Sequence, residues 1–424
     1  MVTADPGPAA VDVRLAGPGE GRAWHRTKQL GFLAHPAPDA EVDAWWDRHF
    51  EPGRFLGGWD GELCVATSRS IPLELTVPGG RALPASGIAS VTVSPTHRRR
   101  GLLRRLVHRE LELARDRGEA VALLTSAEHA IYGRFGFGHA LRHRGFAVDV
   151  VRSGRLHPGV GELRDGARIE LVPPDRLCEV GPDLHERFRR SRPGAITRSA
   201  ADWGYRSGEL TVPGATSSPC TTAVHREPGG QVSALLSYVT DRAYRDGDPD
   251  ATMTVVDHLA VDPRAAAALW RFALDVDRVR HVVVPNTAPD DPLLLWLVNP
   301  RAARPVGGGV EDLWVRVLDG PRAFAARTYE VPGRVVLDVD DPHGHLAGRW
   351  LLHAGTDGTG TLTRTDLPAD LRTDAATLGA VYLGGLPVAQ FAAAGFVTEQ
   401  RPGAAAELGR VLRTSTAPWC PDEF

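Results

Sequence analysis

At 424 residues, with 42% apolar and 24% charged side chains and a net charge of −3, the chain has the make-up of an ordinary globular protein, long enough for about two to four domains. That balance leaves no basic surplus to hold nucleic acid. No apolar run approaches a bilayer span, and the first residues lack the basic and apolar regions of a signal peptide. Cys64, Cys178, Cys220 and Cys420 are far apart with no C-x-x-C pair, which argues against a zinc or disulfide framework and fits free thiols in a reducing cytoplasm.

Residues 1–150 read as one α/β unit. Asp39 is placed to cap a helix carrying Val42, Trp45, Trp46 and Phe50. Glu62–Ser68 and Leu73–Val77 read as short strands, and Pro78-Gly79-Gly80 as a turn leading into a strand over Arg81–Val93. The next stretch, VTVSPTHRRRGLLRRL from Val91 to Leu106, is the most informative. A β-type run stops at Pro95, Arg98, Arg99, Arg100 and Gly101 follow, and Leu102, Leu103, Leu106 and Val107 then mark one side of a helix. Gly118 suits a left-handed stop for that helix. A buried strand is expected over Ala120–Thr125, a short helix capped by Ser126 and carrying Ile131 and Tyr132, and a strand over Arg144–Val151 that closes the unit.

Strand, basic turn, glycine and helix in that order make an anion cradle. Unpaired N–H groups at the helix start point at the anion, and arginines add charge-assisted hydrogen bonds that suit phosphate. The ligand indicated is a pyrophosphate; the bland alternative is a surface helix with solvated arginines. A Walker loop is excluded, because Lys28 is the only lysine and stands far from any such glycine pattern. A dinucleotide fingerprint is excluded because Gly101 has no companion glycines. R-x-x-G after a V-x-V strand resembles the coenzyme A motif of the GNAT N-acetyltransferases, with Leu103 where that motif has a small residue. The order of elements is also the one expected of a GNAT domain.

Further on, Val256–Pro263 (VDHLAVDP) runs into the helical AAAALWRFAL much as Ser90–Pro95 runs into its own helix. This echo has neither R-x-x-G nor a glycine. It reads either as a duplicated fold without a phosphate cradle or as a chance recurrence. From about Arg304 the texture changes. Strands are expected over Glu311–Val317, Gly333–Val339, Leu351–His353 and Thr359–Arg364, a turn at Asp341–His345 (DPHGH), and helices over Asp374–Val381 and Leu386–Ala394. His343 and His345 on the turn read as solvated, not metal-binding, and the basic stretch Arg187–Arg192 as a helix face.

Val91–Leu103, Ile131–Gly138 (IYGRFGFG), Tyr382–Gly385 (YLGG) and the terminal Glu423-Phe424 together resemble the Eis family of aminoglycoside N-acetyltransferases. The resemblance implies a mixed α+β and α/β architecture of tandem GNAT domains, the second degenerate, followed by a sterol-carrier-protein-like α+β domain. The corresponding limits are 1–150, 151–303 and 304–424. It implies an acetyl-CoA-dependent cytoplasmic enzyme without a metal, assembled as a hexamer, that acetylates several amines of one polyamine antibiotic and so confers resistance. Val91 and Val93 would pair with the pantetheine arm, and Arg98, Arg99, Arg100, Gly101 and Leu102 would hold the pyrophosphate. Tyr132 matches the family's general acid and the carboxylate of Phe424 its general base, while Trp45 and Glu423 would line the amine pocket. Asp39, Glu41, Asp43, Asp47, Asp422 and Glu423 are candidates for an acidic surround that favours a polycation, although GFLAH at Gly31–His35 lacks the carboxylate expected near the first helix. Transfer to protein lysines, or a non-catalytic acyl-CoA or lipid binder, are the alternatives. The alanine, arginine, glycine and proline excess fits a GC-rich, actinobacterial coding bias.

Overall fold

The computed structural model describes residues 11–126, 128–214, 220–307 and 313–424. The first unit contains strands β1 (Asp12–Leu15), β2 (Phe55–Asp60), β3 (Leu63–Thr76), β4 (Ala82–Val93), β5 (Val121–Thr125) and β6 (Gly138–His139), with helices α1 (Gly21–Gly31), α2 (Asp39–His49), α3 (Leu102–Asp116) and α4 (His129–Tyr132). The two short strands expected before the Pro-Gly-Gly turn are one strand, β3. Pro72 is tolerated within it because it falls in a gap on that edge, after β2 stops pairing at Arg69 and before Leu75 bridges Ile196. The turn itself is as expected: Gly79 and Gly80 both hold positive φ, and Val77 N donates to Arg81 O at 3.0 Å. Helix α2 starts at Asp39, but the Asp39 carboxylate accepts from Arg22 at 3.0 Å instead of capping the helix. Ser126 Oγ accepts from Glu128 N at 3.0 Å, just ahead of α4.

Two strands change sheets relative to expectation. The strand Arg144–Asp149 does not close the first unit; it lies in a second seven-stranded sheet, between Ala303–Pro305 and Val279–Thr287. Its place in the first sheet is taken by Leu313–Val317, between β5 and β6, and the rest of the strand expected from Glu311 falls outside the described residues. All five side chains of Leu313–Val317 are buried, as a strand with neighbours on both edges and cover on both faces requires. A separate five-stranded sheet follows, ordered Gly360–Arg364, Gly348–Ala354, Gly333–Asp340, Leu371–Asp374 and Thr398–Glu399. Helices Ala375–Val381, Val388–Ala393 and Ala404–Leu412 accompany it; the last was not expected.

One apolar core runs from Leu75 and Leu123 of the first sheet through Val315 and Phe324 to Leu337, Tyr382 and Leu408 of the last unit. The last unit is therefore docked, not tethered. A buried ion pair adds to the joint: Arg316 donates to both oxygens of Asp341 at 2.8 and 2.7 Å, with neither side chain exposed. Asp341 also accepts from Leu346 N at 2.7 Å and His343 N at 3.1 Å, which fixes the DPHGH turn. No helix among the described residues is long and apolar enough to cross a membrane.

Helix α3 packs on the sheet through Leu106, Val107 and Leu111, and it also buries Glu110. Burial pushes the Glu110 carboxyl up to about 7 from 4.5, with Arg117 and a 3.3 Å bond from Ser68 Oγ only partly opposing. An acid whose folded pKa is raised favours the folded state at low pH. That contribution, ~3 kcal/mol for a shift of this size, is lost as pH rises from about 4.5 to about 7. Glu110→Gln is therefore expected to melt at a higher temperature than the parent at pH 8, with the gap closing near pH 4.5. An equal gap at both pH values in thermal melts would refute this assignment.

Candidate active site

β4 and β5 run parallel and pair from Ala85↔Val121 to Gly87↔Leu123, then part. Beyond Gly87 no described strand lies beside the β5-side edge of β4, which leaves that edge of the main chain without a ladder partner. A register shift against β3, between Thr67 and Arg69, coincides with positive φ at Ser90, whose carbonyl accepts from Thr67 Oγ1 at 2.7 Å. Such a bulge re-aims the strand. Val91, Thr92 and Val93 thus follow the edge of a cleft of about 860 Å³.

The cradle lies along this cleft. His97 pins the loop after Pro95 through contacts of 3.1 Å to Asp60 and 2.8 Å to Thr96. Arg99 and Gly101 both have positive φ, at 64° and 75°, and α3 then starts with no side-chain cap on its first N–H groups. Alternating left-handed residues ahead of an uncapped helix give a concave ring of N–H donors. A Cβ built on Gly101 meets nothing within 4 Å, so the space in front of the turn is open to an anion. Arg98, Arg99, Gly101 and Leu102 line the cleft; Arg100 is exposed and outside the lining. Leu103 lines it too, and packs with Val91, Ile131 and Tyr132 as an apolar wall.

Tyr132 closes the far wall. Its ring meets Phe137 edge-on at 6.0 Å, and its carbonyl accepts from Phe137 N at 3.3 Å. The turn that carries it is clamped from below. Gly136 takes φ +79, and a Cβ there would lie 2.6 Å from Arg316 Nη1, so only glycine lets the buried guanidinium pass. From the side, His343 Nε2 donates to Arg134 O at 3.0 Å. The DPHGH turn thus supports the Tyr132 segment, and no cluster of metal-ligating side chains occurs among the described residues.

The chain terminus arrives from the other direction. The Phe424 ring packs on Gly87, where a Cβ would sit 2.9 Å from it, and Thr125 Oγ1 donates to a Phe424 oxygen at 3.5 Å. Gly87 and Thr125 flank the point where β4 and β5 part, so the last residue lies at that parting, from which β4 runs on to the cleft-lining Val91. Trp419 Nε1 donates to Asn286 at 2.7 Å, and Arg198 Nε donates to Asp422 at 2.7 Å. Arg198 also binds Asp257 through both Nη atoms at 2.8 and 2.9 Å, and Arg206 reaches Asp422 at 2.6 Å. The two guanidiniums hold the Asp422 carboxyl well below the usual carboxylate range against the cost of burial.

These contacts correct several expectations. Asp422 belongs to a closed quartet of charges, Asp39 and Asp43 are engaged by Arg22, and Glu41 accepts from Gly214 N. The acidic surround is therefore largely spent on structure. Trp45 is 5% exposed and packed among Trp24, Trp46 and Phe55, so it is core and not a free pocket wall. Glu423 borders a different cavity, of about 310 Å³, with Arg206, Asp257 and Trp419.

The second sheet repeats the geometry and shows why the echo has no cradle. The strands Ala251–Ala260 and Val279–Thr287 pair in parallel as far as Thr254↔Val283 and then part. Trp419 stands across that parting, 5.2 Å from the His258 ring and bonded to Asn286. The helix that follows, Pro263–Asp275, starts on Asp262, whose side chain accepts from Arg264 N at 2.8 Å, so its first turn is capped where the one at Gly101 is not.

Models of the acetyltransferase (GNAT) domain match residues 12–140 and, separately, 194–325, and a sterol carrier protein domain matches 321–421. An uncharacterized N-acetyltransferase of Streptomyces avermitilis is 41% identical over 418 residues, covering 98% of this chain and 99% of that protein. N-acetyltransferase Eis of Mycobacterium tuberculosis is 35% identical over 350 residues, 80% of each chain. The chain belongs to the Eis family of N-acetyltransferases. The crystal structure of Eis1 from Mycobacterium abscessus superposes with a TM-score of 0.82 at 28% identity, covering 97% of this chain and 100% of that one. The three-part Eis-family architecture is thus the one present: two GNAT domains and a sterol-carrier-like unit, in an N-acetyltransferase. The sequence did not reveal the bulge at Ser90 or the partners of Asp422. For the bulge the only local signal is the small pair Ala89-Ser90 inside a strand.

Proposed function

We propose that the protein transfers an acetyl group from acetyl-CoA to a primary amine. Gly101, the first N–H groups of α3, Arg98 and Arg99 would hold the pyrophosphate, with Arg100 as an outer charge. Val91 and Val93 would pair through their main chain with the amide-bearing arm. Acetyl-CoA supplies an activated thioester; the chain's own groups manage the protons. The Phe424 carboxylate accepts the proton leaving the amine, directly or through water, and the Tyr132 phenol donates to the departing thiolate. A phenol is protonated at pH 7 and suits that task, whereas a carboxylate is a weak base and needs the amine close by. The observation that carries this reading is the convergence of an open anion cradle, a phenol and the chain terminus on one parting of strands.

Aminoglycoside-like polyamines are the acceptors that the family resemblance implies, and protein lysines are the rival class. A cytoplasmic hexamer, with antibiotic resistance as the outcome, belongs to the same expectation and is tested by sedimentation and by drug tolerance of an expressing strain. The enzymatic test is thiol release from acetyl-CoA with an amine panel. Tyr132→Phe should lower kcat by roughly 10²-fold or more, with acetyl-CoA affinity little changed. A parental rate in that variant would return Tyr132 to the apolar wall.

A further inference from the structure

On the α1/α2 side of the first sheet, a strip of β3 and β4 stays partly uncovered. Arg69, Ile71, Leu73 and Ala89 keep partial exposure, while Ser68, Ser70, Ser86 and Ile88 on the opposite face are buried. The strip leads to Phe424, whose ring contacts Gly87 on this same face. Arg69 pairs with Ala89 and Ile71 with Gly87, so Arg69 and Gly87 are diagonal neighbours, about 7–8 Å apart. The Arg69 guanidinium itself reaches over the Phe55 and Trp45 rings on the β2 side of β3, so an acceptor that extends along the strip from the terminal carboxylate meets it at the strip's far end.

Arg69 is accompanied by Lys28 of α1. Lys28 Nζ and the Arg69 guanidinium lie 5.2 and 5.3 Å from the Trp45 ring, so one indole carries both cations. Three residues after Lys28, Gly31 abuts Thr92 at the edge of the acetyl-CoA cleft. Neither cation has an ion-pair partner among the described residues, and Arg69 Nε is buried without any hydrogen bond. The nearby carboxylates are engaged elsewhere: Asp202 by Ser199, at 2.6 and 2.8 Å, and Glu51 by Arg54 at 3.0 Å. Burial and the neighbouring guanidinium lower Lys28 to about 8, and burial lowers Arg69 to about 10. Two cations held together with spare donors is a costly arrangement that an anion relieves.

We infer that Lys28 and Arg69 form an anion subsite on the acceptor side, so that the preferred acceptor is a primary amine bearing a carboxylate or comparable anion, and not a pure polycation. This rests on the acetyl-transfer reading above and narrows it to a substrate class. A polycation would instead bring further positive charge against both side chains.

The full-length protein is assayed for thiol release with ω-amino carboxylates of three to six carbons, their matched amides, and a polycationic aminoglycoside. At least one carboxylate should exceed its amide in kcat/KM by roughly tenfold, mainly through KM. Arg69→Leu and Lys28→Met should each pull that ratio towards 1, and Arg69→Lys should restore part of it. Because the readout is a ratio within one variant, general damage to the fold does not mimic it. Transfer that is faster to the amides or the aminoglycoside, or a ratio unmoved by both substitutions, overturns the anion subsite and leaves acetyl transfer standing. No thiol release with any amine overturns acetyl transfer itself, and the subsite with it.

Discussion

A tag appended after Phe424 should reduce amine acetylation by roughly 10²- to 10⁴-fold while acetyl-CoA still binds. Extension converts the terminal carboxylate into an amide, which cannot accept a proton from an ammonium. It also forces new atoms into the parting of β4 and β5, where the Phe424 ring already fills the space over Gly87 and Thr125 reaches its oxygen. The cradle at Gly101 shares no residue with that contact and is not touched. A tag at the other end of the chain is the control, since β1 is an outermost strand of the first sheet. The measurement is steady-state thiol release beside calorimetric acetyl-CoA affinity for both tagged proteins. Equal turnover in the two would remove the carboxylate from the mechanism.

The parts of this site that the sequence displayed are those built from consecutive residues. Val91–Gly101 forms strand, turn and helix start within one short run, so residue type and local geometry are coupled and the cradle could be read directly. IYGRFGFG was equally legible as a motif, yet the reason for Gly136, a guanidinium from Arg316, lies in a strand far along the chain. Strand periodicity announced Arg144–Asp149 and the strand ending at Val317 but not their sheets, because alternation reports which face is buried and not which neighbour is paired. The quartet around Asp422 unites positions 198 to 422, and no local rule links an aspartate in a terminal tail to Arg198 and Arg206. Trp45 was misplaced for the opposite reason. An aromatic on an amphipathic helix looks the same whether it meets a ligand or, as here, three other aromatic rings. The helix Ala404–Leu412 could have been found: a left-handed Gly403 precedes an apolar stripe of Ala405, Leu408, Val411 and Leu412.

The charge quartet makes the second large prediction. Arg198, Asp257 and Asp422 have side chains 1%, 5% and 5% exposed, and Arg206 completes a set of two cations and two anions. Such a set is close to neutral in its net effect on stability when intact, because desolvation cancels most of the attraction. Removing one member is different. Asp422→Ala leaves Arg198 buried with an excess positive charge, at a cost of about 3–5 kcal/mol. The last residues can relieve that cost by lifting away beyond Cys420, while the tail upstream stays held by Trp419, which bonds Asn286 and Pro193, and by the Cys420 carbonyl, which accepts from Asn286 Nδ2 at 3.3 Å. Activity should then fall to the level of the C-terminally tagged protein, while the first sheet and its cradle stay folded and bind acetyl-CoA. Carboxypeptidase should trim the variant faster than the parent, which separates tail release from global unfolding. Acidification should act in the same direction. Asp422 and Asp257 are both held below their ordinary values, so their contribution is complete above about pH 4 and declines as pH falls further. If Asp422→Ala keeps parental turnover and resists trimming, the quartet does not seat Phe424.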